Sequence, residues 1–114
     1  MAIDIEPGEP LYAIEATEYP TDMPAGSIEH LMHVLGLVAD HRYFQDMQWG
    51  GPAHDDGHTP IDWELIFGSH IRRLTDYDGN PTEDYPARLL KIAAVAVAAY
   101  QAWDRAQARV MAEG

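Results

Sequence analysis

Two imidazoles and two carboxylates fall within five residues of this chain, His54-Asp55-Asp56-Gly57-His58. Imidazole nitrogens and carboxylate oxygens are ligand types that Zn²⁺ and other divalent ions accept. Followed by Thr59-Pro60, the same segment is also a good turn leading into a helix, with His54 or His58 bonded to backbone. Both readings stay open. His30, His33 and His41 do not have the spacing of a two-histidine zinc helix and read as surface or interface groups. Trp49, Trp63 and Trp103 read as core anchors rather than a base-stacking platform. A serine nucleophile site finds no support. With no cysteine, a thiolate nucleophile, a thiolate metal site and a disulfide are excluded. Gly50-Gly51 is followed by Pro52 and lacks the Lys-Ser/Thr of a phosphate loop.

Composition narrows the partners. A chain of 114 residues is one small domain. A net charge of −12 repels nucleic-acid phosphates and disfavours anionic membranes. Solubility alone accounts for such acidity. The sharper alternative is an acidic face that imitates DNA or docks on a basic partner. The first six residues lack a basic region and an apolar core, so no secretory signal is expected. The longest apolar run, Ile92 to Tyr100, is too short to span a bilayer. The absence of cysteine fits a reducing cytoplasm.

The elements that must position these groups are helical. Residues 1–26 hold Pro7, Pro10, Pro20 and Pro24 among acids and read as an extended arm. It either packs along its own domain or reaches a neighbouring subunit. Residues 27–114 read as a helical bundle. Ser27 is an N-cap, and Leu31, Val34, Leu35 and Val38 recur at helical spacing, predicting a helix from Ile28 to Gln48. Gly36 within it permits close packing, and Trp49-Gly50-Gly51-Pro52 ends it. Thr59 or Asp62 caps a second helix with Pro60 in its first turn. After a polar linker, Asp76 to Asp84, a third helix runs from Pro86 to about Met111. Its alanine-rich middle is apolar nearly all round and should be buried nearly all round. So few helices give it too little cover, which predicts a homo-oligomer, a dimer or a tetramer.

Several pieces occur in order: Tyr43-Phe44-Gln45-Asp46-Met47-Gln48-Trp49-Gly50-Gly51, then His54-Asp55-Asp56-Gly57-His58, then Asp62-Trp63. They are followed by Arg88-Leu89-Leu90-Lys91-Ile92-Ala93-Ala94-Val95-Ala96-Val97-Ala98-Ala99 and Trp103-Asp104-Arg105. From Arg42 to Arg105 the series resembles short phage and prophage proteins of the MazG-like, all-α nucleotide pyrophosphohydrolase type. In the catalytic family, Glu-x-x-Glu on one helix faces Glu-x-x-Asp on the next, forming an oxygen cage for Mg²⁺. The metal binds the triphosphate and activates water. Laid on this chain, the first motif falls near His70-Ile71-Arg72-Arg73 and the second on Arg88-Leu89-Leu90-Lys91. The spacing survives and the chemistry is inverted.

The resemblance therefore implies a degenerate metal site. His70, Arg73, Arg88 and Lys91 would clasp phosphate directly in place of magnesium, or pair with Glu64, Glu83 or Asp84 on the surface. The expected role is a non-hydrolytic phage accessory protein that binds a nucleotide or a protein partner in the cytoplasm of an infected or lysogenic host. One rival is an active nucleoside triphosphate pyrophosphohydrolase. It would take Mg²⁺ or another divalent ion on Glu64 and the loop of His54, Asp55, Asp56 and His58. The other rival is an acidic inhibitor of a host defence protein.

Overall fold

A computed structural model describes residues 26–113, and the expected arm at 1–26 lies, but for Gly26, outside them. Helix α1 (Ile28–Trp49) starts at Ser27, whose hydroxyl accepts the His30 amide at 3.0 Å. Glu29 in the first turn complements the positive end of the helix. The helix stops at Gly50, which sits at φ 104°, a left-handed conformation that costs glycine little. A loop was expected from Ala53 to Pro60, but Pro52–Asp55 forms a single helical turn, α2. Pro52 at the first position fixes φ and has no amide to leave unpaired, so the turn is prepared locally.

Helix α3 (Pro60–Ile71) opens with both candidate caps used at once. Thr59 Oγ1 accepts the Asp62 amide at 3.2 Å, and Asp62 Oδ2 accepts the Thr59 amide at 2.8 Å. Such a cap stabilises a helix by about 1 kcal/mol. The linker then closes on itself. Asp76 Oδ1 accepts the amides of Asp78 and Asn80, each at 2.9 Å. An isolated bridge pairs Thr75 with Pro81, and the Thr82 amide donates to the Leu74 carbonyl at 3.0 Å. This tight return sets the start of α4 (Tyr85–Glu113) beside the end of α3.

The fold is all-α; the described residues contain no strand beyond that bridge. Helices α1, α2 and α3 all pack on α4. The contact stripe of α4 is Ala87, Ala94, Val95, Ala98 and Ala102, one face of a 3.6-residue period. Alanine lets the three neighbours approach closely, and Val38 of α1 completes the buried apolar set. No described helix is long and apolar enough to cross a membrane.

Three expectations are corrected here. The run from Ile92 to Tyr100 is not buried all round. Ala96, Val97 and Tyr100 lie outside the contact stripe and are exposed in the protomer. A Cβ added at Gly36 would meet nothing within 4 Å, so that glycine serves no close contact within the protomer. Trp49 and Trp103 are 59% and 56% exposed, because the inner stripes are filled by small side chains, and they are not core anchors.

Candidate functional site

The C-terminal half of α1, the α2 turn, α3 and the first half of α4 enclose a cleft of about 480 Å³. That volume suits a small ligand. The polar side chains reach it by simple helical arithmetic. On α1, the inward face continues from Val34 and Val38 to His41, Gln45 and Gln48, at steps of three and four. On α3, Trp63, Ile66 and His70 share one face, and Arg73 follows one turn later. On α4, Arg88, Lys91, Val95 and Ala98 do the same.

One end of the cleft is cationic. His70, Arg73, Arg88 and Lys91, from two separate helical regions, all line it. Arg88 Nη1 lies 3.1 Å from His70 Nδ1, and Arg88 Nη2 donates to Asp84 Oδ2 at 2.7 Å. A guanidinium only donates, so Nδ1 of His70 accepts and the ring proton resides on Nε2. Burial, then the charges of Arg88, Lys91 and Arg73, lower the His70 pKa, in keeping with a neutral ring. The Asp84 pair realises one of the expected surface ion pairs. Arg73 is exposed and makes no side-chain ion pair among the described residues.

The other end is aromatic. Trp49 stacks on His54 with ring centroids 6.1 Å apart. His54 meets His58 edge-on at 4.8 Å, and His58 meets Trp63 edge-on at 4.8 Å. Asp55, beside them, is buried, with Oδ2 3.5 Å from Arg42 Nη2. Burial raises the Asp55 pKa, while the Arg42 charge pulls it back. Arg42 is itself held by Asp46 at 2.9 Å and by the Gln101 side chain at 3.2 Å.

The expected metal cluster is only partly assembled. His54, Asp55 and His58 each offer a ligand atom, all within 4.8 Å of one another. Asp56 is not among them. Its carboxylate faces the far end of α4, where it accepts from Arg105 Nη2 at 2.8 Å and Arg109 Nη1 at 3.3 Å. Those partners lower its pKa and tie the α2 turn to α4. Glu64 is exposed and does not line the cleft. It follows Trp63 by one residue, so the helix turns it about 100° away. Glu64 therefore does not join the loop ligands among the described residues.

His41 was expected to be a surface or interface group and instead is buried in the protomer, lining the cleft. Burial, then the Lys91 charge, push its pKa down from 6.5 to about 4. Above pH 6.5 the ring is neutral in both folded and unfolded chains, and the stability it contributes is fully present. As pH falls from 6.5 toward 4, the unfolded chain takes up the proton first and that stability is lost. The loss is on the order of 3 kcal/mol. In urea unfolding across that window, His41→Leu should flatten the decline relative to wild type. Parallel curves for the two proteins would refute the assignment. Burial raises the pKa of Asp40 and of Asp55, so the difference between proteins, not the raw slope, reports His41.

No protein-family model, curated protein or solved structure matches this chain.

Proposed function

We propose that the cleft binds a nucleotide, or a similarly compact phosphate ligand, without hydrolysing it. One observation carries this reading. Arg42, Arg73, Arg88 and Lys91, four of the chain's seven Lys and Arg residues, line a single cleft in a protein of net charge −12. Among its described lining residues only Asp55 is a carboxylate, and it is already paired with Arg42. A positive cleft in a negative body draws in a small anion while the outer surface repels long polyanions. Guanidinium groups hold phosphate oxygens in pairs. Trp49 and Trp63 at the opposite end offer apolar ring surface for a base.

The scaffold belongs to the same proposal. Helix α3 with the turn after it, and helix α4, bring His70, Arg73, Arg88 and Lys91 to line one cleft, and this supports reading the scaffold as MazG-like. A phage-encoded accessory protein built on that plan would retain the nucleotide cleft and lack its magnesium cage. Isothermal titration calorimetry with mono-, di- and cyclic nucleotides, in chelator, tests the reading. Binding without divalent ions supports it, and no heat with any nucleotide removes it.

Catalysis is expected to be absent. Hard Mg²⁺ needs several oxygen ligands. The positions that would supply them hold His70, Arg73, Arg88 and Lys91. A panel of canonical and modified nucleoside triphosphates with Mg²⁺ or Mn²⁺ should release no pyrophosphate above a no-enzyme control. Release that is lost in Glu64→Gln would overturn this expectation.

Self-association completes the proposal. Among the described residues the buried apolar set is two valines and four alanines, and none of the larger apolar side chains is fully buried. Ile28, Met32 and Leu35 of α1 stay exposed, as do Val97, Tyr100 and Trp103 of α4. Each group recurs at helical spacing, so each helix presents an apolar stripe away from the core. Contiguous apolar surface of this kind marks an interface. A second copy brings the same two stripes, the self-complementarity that a two-fold dimer needs.

A further inference from the structure

We propose that His54, Asp55 and His58 bind one divalent transition-metal ion, Zn²⁺ or a close chemical relative, at the α2 end of the cleft. The inference is independent of the nucleotide reading. Two neutral imidazoles and one carboxylate are a donor set that zinc takes, leaving a fourth position open to water or a ligand. Imidazole nitrogens favour Zn²⁺, Co²⁺ and Ni²⁺ over Mg²⁺, which prefers oxygen.

Geometry brings the three together. His54 and Asp55 end α2, and the chain then turns back. The Gly57 amide donates to the His54 carbonyl at 3.2 Å and the His58 amide to the Asp55 carbonyl at 3.1 Å. That turn returns His58 to His54, with the two rings nearly perpendicular at 86°. The three ligand atoms span at most 4.8 Å. Ligands of a tetrahedral zinc at about 2.0–2.2 Å lie roughly 3.4 Å apart, so closure requires about 1.4 Å of side-chain movement at the widest pair.

Two further observations point to a ligand. Asp55 is buried and its Oδ2 accepts no hydrogen bond, holding only a long 3.5 Å ion pair with Arg42 Nη2. A buried carboxylate oxygen left that way is costly, and a metal ion would satisfy it. His58 Nδ1 lies 3.9 Å from Asp62 Oδ2, too far for a hydrogen bond, so the nearby carboxylate does not claim the ring nitrogen. The positive charge of Arg42 nearby is shared with Asp46 at 2.9 Å, which reduces its repulsion of a dication.

The test uses the full-length protein without a histidine tag, stripped by chelator and exchanged into metal-free buffer. Zn²⁺ is titrated in competition with a chromophoric chelator, and Co²⁺ is followed by its visible d–d absorption. No nucleotide is present, so the outcome does not depend on nucleotide binding. The expected result is one ion per chain, with cobalt bands of four- or five-coordinate geometry and no displacement by millimolar Mg²⁺. His54→Ala and His58→Ala should each weaken affinity at least about tenfold. Asp55→Asn, which keeps the side-chain volume, should do the same and serves if a histidine variant fails to fold. Glu64→Gln and the His30→Ala/His33→Ala pair should leave affinity unchanged. Absence of saturable one-to-one binding overturns the site, as does full affinity in the His54→Ala/His58→Ala protein.

Discussion

Replacing Arg88 and Lys91 together by alanine should reduce nucleotide affinity by about 10²–10⁴-fold, the largest effect expected of any change in the cleft. The size follows from losing two charge-assisted contacts at roughly 1.5–3 kcal/mol each. Arg73→Ala alone should cost less, because Arg73 is more exposed and its charge is better screened. Wild-type affinity should fall with added salt and should not change when chelator is added. Arg88 also anchors His70 and Asp84, so a loss of binding could arise from a local collapse. Asp84→Asn separates the two causes. It removes the ion pair and leaves the cation, so binding should persist. Unchanged binding in the Arg88→Ala/Lys91→Ala protein would return those residues to the status of ordinary ion-pair partners.

If the protein assembles through α4 as proposed, changing Ala96 to Glu should convert the oligomer to monomers. Ala96 is exposed in the protomer, so a glutamate there is hydrated in the free chain and helix content should be retained. In an assembled interface along α4, the same carboxylate would be buried without a partner, at a cost of several kcal/mol. That is enough to raise a dimer dissociation constant by about 10²-fold or more. Light scattering at micromolar concentration, beside circular dichroism, reads both quantities. A wild-type monomer would remove the assembly, and an oligomer unaffected by Ala96→Glu would move the interface off this face of α4. Nucleotide binding is expected to survive the change, because Ala96 does not line the cleft.

The helical frame was largely legible because its signals are local. Ser27, Gly50, Thr59 and Pro60 act on amides within three or four residues of themselves, and each does what its type predicts. The α2 turn was missed because its four residues are too few for a periodic pattern. The inward course of α1 was also present in the letters, as Val34, Val38, His41, Gln45 and Gln48 at helical steps. A stripe that changes from apolar to polar in mid-helix signals a cleft, and grouping His41 with surface or interface histidines overlooked it.

The cleft shows what residue types and spacing leave open. By itself the chain determined three helical segments' worth of caps, breakers and periodicity, an acidic composition and the helical spacing of His70 with Arg73 and of Arg88 with Lys91. Only the tertiary structure decided which of the candidate ligands share a space. Asp56 is drawn away by Arg105 and Arg109, which lie 49 and 53 residues further along the chain. Glu64 is carried off by a single helical step once Trp63 faces inward. His41 becomes a buried neutral ring because α4 brings Lys91 and the alanine stripe against it. A side chain's type and spacing are written locally, but its burial, charge state and partners depend on which helix face meets α4, and that is settled by packing across the whole chain.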